Sequence, residues 1–318
     1  MRSVSFACGD HMPLLGLGTW KSDPGQVGSA VREAIRQGYR HIDCASIYGN
    51  EREIGVAIRE AIANGEVTRE ELWITSKLWC NSHGRENVEP ALRRTLADLG
   101  LDWLDLYLIH WPVAIRPAVG FPSAADDLLP PEDARLRATW DGMEAALDAG
   151  LTRHIGVSNF SIRKLQVLLQ HGRIRPEVNQ VELHPLLQQP DLVAFCRAEG
   201  IHLTAYSPLG SGDRPAQLKA ADEPVLLDHP VIAAIATEHG CSAAQVLLAW
   251  HLCRGISTIP KSVSPVRLRE NLAAAAIELT PTDLDRLAAL DRGVRLVDGS
   301  FWLMEGSPWT LQSLWDEP

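Results

Sequence analysis

The chain has 318 residues, of which 46% are hydrophobic and 22% charged, so it is long enough for one large barrel or two average domains with a sizeable core. Its net charge is −10, and no run of Lys and Arg suggests a nucleic-acid or anionic-membrane surface. No apolar run approaches the roughly 20 residues that span a bilayer, and the N-terminus lacks an apolar signal-peptide core. We therefore expect a cytoplasmic protein, and a monomer, without nucleic-acid or membrane partners.

The cysteines are scattered and do not form a disulfide framework. Free thiols in a reducing compartment are the simplest interpretation. Cys80-x-x-His83 and His251-x-Cys253 have no second ligand pair at a zinc-like spacing, so the sequence predicts no metal site. The six cysteines are Cys8, Cys44, Cys80, Cys196, Cys241 and Cys253.

Eight short apolar runs predict strands, and most read as parallel strands buried on both faces. In chain order they are Leu15–Thr19, His41–Ala45, Trp73–Ser76, Leu104–Ile109, His154–Val157, Val178–Val181, His202–Tyr206 and Ser257–Ile259. Amphipathic stretches between them predict helices, several preceded by Ser or followed by Gly as helix caps. These are Gln26–Gln37, Glu51–Ala63, Arg85–Leu99, Ala134–Ala149, Ile162–Gln170, Asp191–Glu199 and Ala243–Cys253.

This alternation predicts an α/β fold, a single (β/α)₈ TIM barrel over residues 1–318. A doubly wound open sheet in two halves is the competing arrangement, but no linker marks a boundary. Ser3–Phe6 and Met12–Leu14 predict a β-hairpin that caps the barrel floor. Arg116–Asp133, Gly210–Asp228 and the tail after Val294 do not fit the repeat, and we expect them as extended loops at the C-terminal face.

Four polar residues follow predicted barrel strands, where a barrel enzyme holds its active residues. Asp43 is placed after strand two, Lys77 after strand three and His110 after strand four, and Tyr48 lies in the loop five residues after Asp43. Each residue alone is more typical of a cap, a half-buried aromatic or a surface charge. Together they suggest one site, because a Lys and an Asp on adjacent strands are costly unless they pair.

The chemistry of this set is proton transfer to a carbonyl oxygen. A nearby Lys77 ammonium should lower the pKa of Tyr48 below its usual value of about 10, and Asp43 should keep Lys77 charged. Tyr48 could then donate a proton while His110 orients the carbonyl. The hydride itself must come from a cofactor.

These residues lie in motifs that resemble the aldo-keto reductases, over about residues 4 to 295. The motif that most resembles general NADPH-dependent aldehyde reductases is Asp222–Leu227. The motifs that carry the family resemblance are Gly38–Ala45, Tyr48–Glu51, Leu108–Pro112, Gly156–Phe160, Asn179–Glu182, Ala205–Gly210 and Ile259–Ser262.

The resemblance implies an NADPH-dependent reductase of aldehydes and some ketones, with Tyr48 as the acid and Asp43, Lys77 and His110 completing the tetrad. It implies that the cofactor is lined by the end of the first strand, Gly18, Thr19 and Trp20. The nicotinamide would contact Ser158, Asn159, Gln180 and Tyr206, and the pyrophosphate Ser207, Leu209 and Ser211. Around the adenosine it implies Lys261, Ser262, Arg267, Glu270 and Asn271. Two cations and a hydroxyl suit the 2′-phosphate, which favours NADPH over NADH.

Four tryptophans are predicted to line the substrate pocket. Trp20, Trp79 and Trp111 follow barrel strands, and Trp302 lies in the tail, which folds over the substrate in similar enzymes. Such a slot favours aromatic or medium-length aliphatic carbonyl compounds over charged sugars. Lys21 and Asp213 match a pair that closes over the cofactor in the family.

Two other functions remain open from sequence. One is a nucleotide-binding regulatory subunit on the same fold, with incidental turnover, although the intact tetrad and the lack of a docking extension disfavour it. The other is an unrelated barrel hydrolase or isomerase. No paired carboxylates or metal cluster at strand ends supports that function.

Overall fold

The computed structural model describes residues 2–215, 219 and 223–317. Of the motif Asp222–Leu227, Asp222 lies outside the described residues. Eight parallel strands follow one another in a single sheet, in the same order as in the sequence. They are β3 (Leu17–Gly18), β4 (His41–Asp43), β5 (Trp73–Leu78), β6 (Leu104–Ile109), β7 (Thr152–Ser158), β8 (Val178–Glu182), β9 (His202–Tyr206) and β10 (Ser257–Thr258).

The sheet closes between its first and last strands. Parallel bridges join Leu15 to Thr258 and Gly18 to Lys261, and the backbone N–H of Gly16 donates to Thr258 O at 2.9 Å. A Cβ added at Gly18 would lie 2.6 Å from Ile259 O, so only glycine permits this close approach. The predicted (β/α)₈ barrel is therefore confirmed, and the open-sheet alternative is wrong.

Helices connect the strands and cover the barrel. Those between β3 and β9 are α1 (Val27–Gln37), α2 (Glu51–Ala63), α3 (Arg85–Leu99), α4 (Asp133–Asp148), α5 (Ile162–His171) and α6 (Pro190–Glu199). The later ones are α7 (Pro230–Glu238), α8 (Ala243–Cys253), α9 (Pro265–Ala273), α10 (Pro281–Ala288) and α11 (Leu311–Trp315). The sequence prediction missed α7, α9, α10 and α11. The first three of these begin with proline, which suits the first turn because its missing N–H has no partner there.

A β-hairpin covers the end of the barrel at which the strands begin. Its strands are β1 (Ser3–Ser5) and β2 (His11–Pro13), paired antiparallel. Met12 is fully buried against Trp73, the first residue of β5, together with apolar residues of β6 and β8. The predicted hairpin cap is confirmed.

The tail after Val294 folds back over the opposite end. The Glu182 carboxylate, buried at the end of β8, accepts hydrogen bonds from the backbone N–H groups of Leu296 and Val297, each at 2.7 Å. Lys164 of α5 donates to the carbonyls of Ser313 and Leu314 at 2.8 and 2.9 Å. These bonds attach the tail to the barrel mouth.

Among the described residues, no single helix is long and apolar enough to cross a membrane. Only α7 and α8, bent by 86° at the break between them, meet that criterion as a pair.

Candidate active site

A buried ion pair lies at the carboxyl end of β4 and β5. Lys77 is fully buried and donates to the Asp43 carboxylate and, at 2.8 Å, to Cys44 O. Burial disfavours the charged ammonium, but Asp43, through its charge and its hydrogen bond, and Tyr48 together outweigh that penalty and raise the pKa of Lys77. Lys77 is therefore charged at neutral pH, and the predicted pairing with Asp43 is present.

The position of Asp43 is fixed by two further contacts, one of which is supported by a third. Gln180 Nε2 donates to Asp43 Oδ2 at 2.7 Å, and the hydroxyl of Thr19 donates to Asp43 O at 2.8 Å. Asn50 Nδ2 in turn donates to Thr19 O at 2.9 Å. Strands β3, β4, β5 and β8 are thus joined by side chains at the barrel mouth, which holds the Lys77 ammonium in place.

Tyr48 follows β4 in a short 3₁₀ turn, Ser46–Tyr48, that ends at Gly49 in the left-handed region (φ +68°). Its ring centroid lies 5.3 Å from Lys77 Nζ and 5.8 Å from the centroid of the His110 ring. Burial raises the pKa of Tyr48 to about 12, and the Lys77 charge acts in the opposite direction without offsetting it. The expected net lowering of this pKa is wrong, because desolvation dominates in so enclosed a site.

His110 directly follows β6 and packs edge-on against Trp79, with ring centroids 5.2 Å apart. Burial, helped by the nearby Lys77 charge, holds the pKa of His110 well below its usual value, so its ring is neutral. The backbone carbonyl of His110 accepts a hydrogen bond from Asn159 Nδ2 at 2.9 Å. A neutral His beside a protonated Tyr48 gives two hydrogen-bonding groups at the same point of the barrel mouth.

Residues expected around the nicotinamide form a connected polar group. The hydroxyl of Tyr206 donates to Asn159 Oδ1 at 2.7 Å, and Ser158 Oγ donates to Gln180 O at 2.8 Å. Asn159 itself has a left-handed backbone (φ +64°), an unusual conformation for a residue with a side chain. Strain of this kind persists where the surroundings enforce it, and here it aims the Asn159 amide between His110 and Tyr206.

One cavity of about 900 Å³ contains these groups, and the site residues that line it include Asp43, Tyr48 and His110. Lys77 lies behind Asp43 and does not line it. The predicted cofactor residues that do line it are Gly18, Thr19, Trp20, Ser158, Asn159, Gln180, Tyr206, Ser207, Leu209, Ser211, Lys261, Ser262 and Arg267.

Two predicted adenosine contacts, Glu270 and Asn271, do not line this cavity. Asn271 is 4% exposed on α9, and Glu270 uses its backbone carbonyl to accept a hydrogen bond from Gln245 Nε2 at 3.0 Å. Both residues lie about one helical turn after Arg267 on α9, and of the three only Arg267 lines the cavity.

Lys21 and Asp213 meet across the cavity. Lys21 Nζ donates to Asp213 Oδ1 at 2.5 Å and to Ser211 Oγ at 2.7 Å. Lys261 Nζ lies 3.6 Å from the other Asp213 oxygen. The expected contact between Lys21 and Asp213 is therefore present, at the end of the cavity that also holds Lys261.

The other end of the cavity is apolar. Trp20, Trp79 and Trp111 line it as predicted, together with Phe121 and Phe301. Trp302 does not line it and is 0% exposed. Its ring packs against the rings of Trp79, Trp111, Phe121 and Phe301 from behind, at centroid distances of 5.9, 5.8, 5.8 and 4.9 Å. It supports the pocket wall, and Phe301 takes the lining position.

Glu51, the first residue of α2, is a site residue that sequence reasoning quoted in a motif without giving it a role. It is 4% exposed, and Ser76 Oγ, beside Lys77, donates to its Oε1 at 2.5 Å. Burial raises the pKa of Glu51 to about 7 from 4.5, despite the hydrogen bond from Ser76. The burial of this carboxyl group results from the packing of α2 on the barrel, which the sequence does not show.

The raised pKa of Glu51 predicts a pH-dependent stability. A folded state with the higher pKa binds more protons than the unfolded chain, so the free energy of unfolding falls as pH rises from 4.5 to about 7. At about 1.4 kcal/mol for each unit of pKa, the loss is on the order of 3 kcal/mol. Urea unfolding at pH 5 and pH 7.5 should therefore show a smaller pH-dependent loss in Glu51→Gln than in the wild-type protein.

Glu70→Gln is the control for that comparison, because Glu70 is exposed and its variant should follow the wild type. An equal pH-dependent loss in Glu51→Gln and the wild type would mean that Glu51 ionises normally.

Fold and site define a barrel enzyme whose mouth holds a protonated Tyr beside a buried Lys–Asp pair. The model of the Aldo/keto reductase family matches residues 14–292. An aldo/keto reductase of Synechocystis sp. is 60% identical over 317 residues, 100% of this chain and 97% of the relative. Aldo-keto reductase family 1 member A1 of Bos taurus is 50% identical over 91% of this chain and 89% of the relative. The Homo sapiens protein of that name is 49% identical over 92% of this chain and 90% of the relative.

The chain belongs to the aldo/keto reductase family. Its reaction class is therefore oxidoreduction between carbonyl compounds and alcohols, with a nicotinamide cofactor.

Proposed function

We propose that the protein is an NADPH-dependent reductase that converts aldehydes, and some ketones, to alcohols with Tyr48 as general acid. The observation that carries this proposal is the position of Tyr48, whose ring lies 5.3 Å from the buried Lys77 ammonium and beside the neutral His110. A phenol whose pKa is about 12 keeps its proton at neutral pH. It is therefore in the form that a reductase needs.

The carbonyl substrate binds with its oxygen between Tyr48 and His110. When bound, the reduced nicotinamide supplies the hydride that the side chains cannot provide. As negative charge develops on the oxygen, Tyr48 donates its proton, because an alkoxide is a far stronger base than a phenolate. The Lys77 charge stabilises the phenolate left behind, and His110 keeps the carbonyl oriented.

The end of the cavity that holds Lys261 and Arg267 supports NADPH as the cofactor. These two cations and the hydroxyl of Ser262 are a donor set that suits a dianionic phosphate. Within the described chain, no carboxylate is paired with the Arg267 side chain, which extends from the first turn of α9. A guanidinium without an internal partner at the edge of a cofactor cavity is available to a 2′-phosphate.

The substrate end supports an uncharged, apolar carbonyl compound. Its walls are aromatic. Of the cations that line the cavity, Lys21 approaches these walls, with its Nζ 4.4 Å from the centroid of the Trp20 ring, and its charge is already paired with Asp213. Trp79 uses its indole N–H to donate to Gly120 O at 2.6 Å, so that group is already occupied. Aromatic and medium-length aliphatic aldehydes can bury their surface here, whereas a charged sugar loses hydration without gaining a partner.

The test is NADPH oxidation, followed by absorbance, over a panel of aldehydes, ketones and sugars. We expect repeated turnover, with kcat/KM higher for aromatic aldehydes than for carboxylate-bearing sugars. Turnover too slow to repeat with every carbonyl compound would contradict a reductase and favour a regulatory nucleotide-binding role.

Phe301→Ala tests the apolar wall. Removing the ring should lower kcat/KM for an aromatic aldehyde by about tenfold, because about 1–2 kcal/mol of apolar contact is lost. Propanal is the control substrate, since it is too short to fill the pocket, and its kcat/KM should change by less than about twofold. Equal losses for both aldehydes would place Phe301 outside the substrate contact surface.

A further inference from the structure

A second cluster of potential ligand atoms lies at the floor of the barrel, at the end opposite the active site. Cys8 and Asp10 belong to the turn between β1 and β2, and His154 is the third residue of β7. Among the described residues, these three form the group whose thiol, carboxylate and imidazole atoms all lie within 4.8 Å of one another. No role in the reductase reaction requires this cluster.

The distances approach those of a metal-binding site. His154 Nε2 lies 3.1 Å from Asp10 Oδ2 and 3.9 Å from Cys8 Sγ. In a tetrahedral site with ligands bonded at 2.0–2.3 Å, neighbouring ligand atoms are about 3.3–3.8 Å apart, so both distances from His154 Nε2 are within about half an ångström of that range. Gly9, between the two turn ligands, has φ +96° and nothing within 4 Å of the position of an added Cβ, so the turn has space to adjust.

The His154 ring is held with Nε2 facing the turn. Its Nδ1 lies 2.9 Å from Glu177 Oε2 and its Nε2 faces Asp10. Burial disfavours the charged ring, but Glu177 and Asp10 together raise the pKa of His154, so a metal ion would bind Nε2 by displacing its proton. Carboxylates orient metal-binding imidazoles in this way. The ring also packs against those of Phe6 and Trp73, with centroids 4.5 and 5.0 Å away, and is 1% exposed.

We propose that Cys8, Asp10 and His154 bind a divalent metal ion of the zinc class at the barrel floor. A thiolate, an imidazole and a carboxylate together select a borderline-soft ion such as Zn²⁺ or Co²⁺ over Mg²⁺ or Ca²⁺, which prefer oxygen ligands alone. Cys8 is exposed, so water can reach the fourth position. This departs from the expectation of no metal.

A bound ion would join the N-terminal hairpin to β7. Two of its ligands belong to the hairpin turn, which is otherwise held by the packing of Phe6 against Trp73 and His154 and by the contact of Asp10 with His154. Because the ion binds only the folded arrangement, it would stabilise that arrangement in proportion to its concentration. The reductase site lies at the other end of the barrel and should be unaffected.

The test is Co²⁺ titration of the metal-stripped, reduced full-length protein, followed by the thiolate-to-cobalt charge-transfer band in the near ultraviolet. We expect the band to saturate at about one equivalent, as a single site requires. Cys8→Ser should lose the band while keeping wild-type NADPH oxidation. Glu177→Gln should keep the band but weaken Co²⁺ binding about 10- to 100-fold, as loss of an orienting carboxylate does.

Cys253→Ser is the matched control, because Cys253 is also an exposed free thiol and lies on α8, outside the group of potential ligands. It should keep both the band and its stoichiometry. Absence of the band in the wild-type protein, or its survival in Cys8→Ser, would overturn the proposal and leave His154 as a bridge between Asp10 and Glu177. The cobalt band and its stoichiometry do not depend on carbonyl reduction, so this outcome is independent of the proposed function.

Discussion

Tyr48→Phe is expected to lower kcat for aldehyde reduction by about 10²- to 10⁴-fold, the range that general acid catalysis usually contributes. The variant removes one oxygen atom and keeps the ring that packs between Trp20 and His110, at centroid distances of 6.5 and 5.8 Å. Cofactor affinity should therefore change little, and fluorescence titration with NADPH can measure it alongside steady-state kinetics.

Tyr107→Phe provides the control for this experiment. Tyr107 lies on β6, 1% exposed, and packs in the main core between barrel and helices, away from the cavity lining. Its variant should keep wild-type kcat within about twofold, since its hydroxyl does not reach the reacting carbonyl. Wild-type turnover in Tyr48→Phe would show that another group donates the proton.

Arg267→Ala is expected to raise the Kd for NADPH by about 10- to 100-fold and to change the Kd for NADH by less than about twofold. The reason is that a charge-assisted contact with the 2′-phosphate exists only for NADPH. Parallel titrations with both dinucleotides measure the ratio, and raising the salt concentration should reduce it because this arginine is exposed.

Arg269→Ala removes the same charge from the same helix, but Arg269 does not line the cavity. Its effect on NADPH binding should be close to that on NADH binding. If Arg267→Ala weakened both cofactors equally, the guanidinium would contribute to general binding and would not distinguish the 2′-phosphate.

Much of the fold could be predicted from local patterns. Parallel strands buried on both faces are continuous apolar runs, and all eight appear within a few residues of their predicted bounds, with β6 and β9 matching at both ends. Asp43, Lys77 and His110 could be grouped because parallel strands end at one face of the barrel. Helices α9 and α10 were missed because they are short and lie after the last strand, where the alternation no longer helps.

Electrostatics and side-chain depth could not be predicted in the same way. The raised pKa values of Tyr48 and Glu51 depend on how much water the surrounding walls exclude, which no neighbouring residue in the sequence reveals. Trp302 and Phe301 are adjacent in the chain, yet one supports the pocket wall and the other lines it. That choice follows from how the tail packs, with the Trp302 ring enclosed by Trp79, Trp111 and Phe121.

The sequence by itself determined the barrel, the four residues at its mouth and the family, because each depends on local order along the chain. Tertiary structure alone decided which polar groups are desolvated, which aromatic residues line the cavity, and that Cys8 and Asp10 meet His154 some 140 residues later at the barrel floor. Such properties arise from contacts between distant segments, and the closure of the barrel creates those contacts.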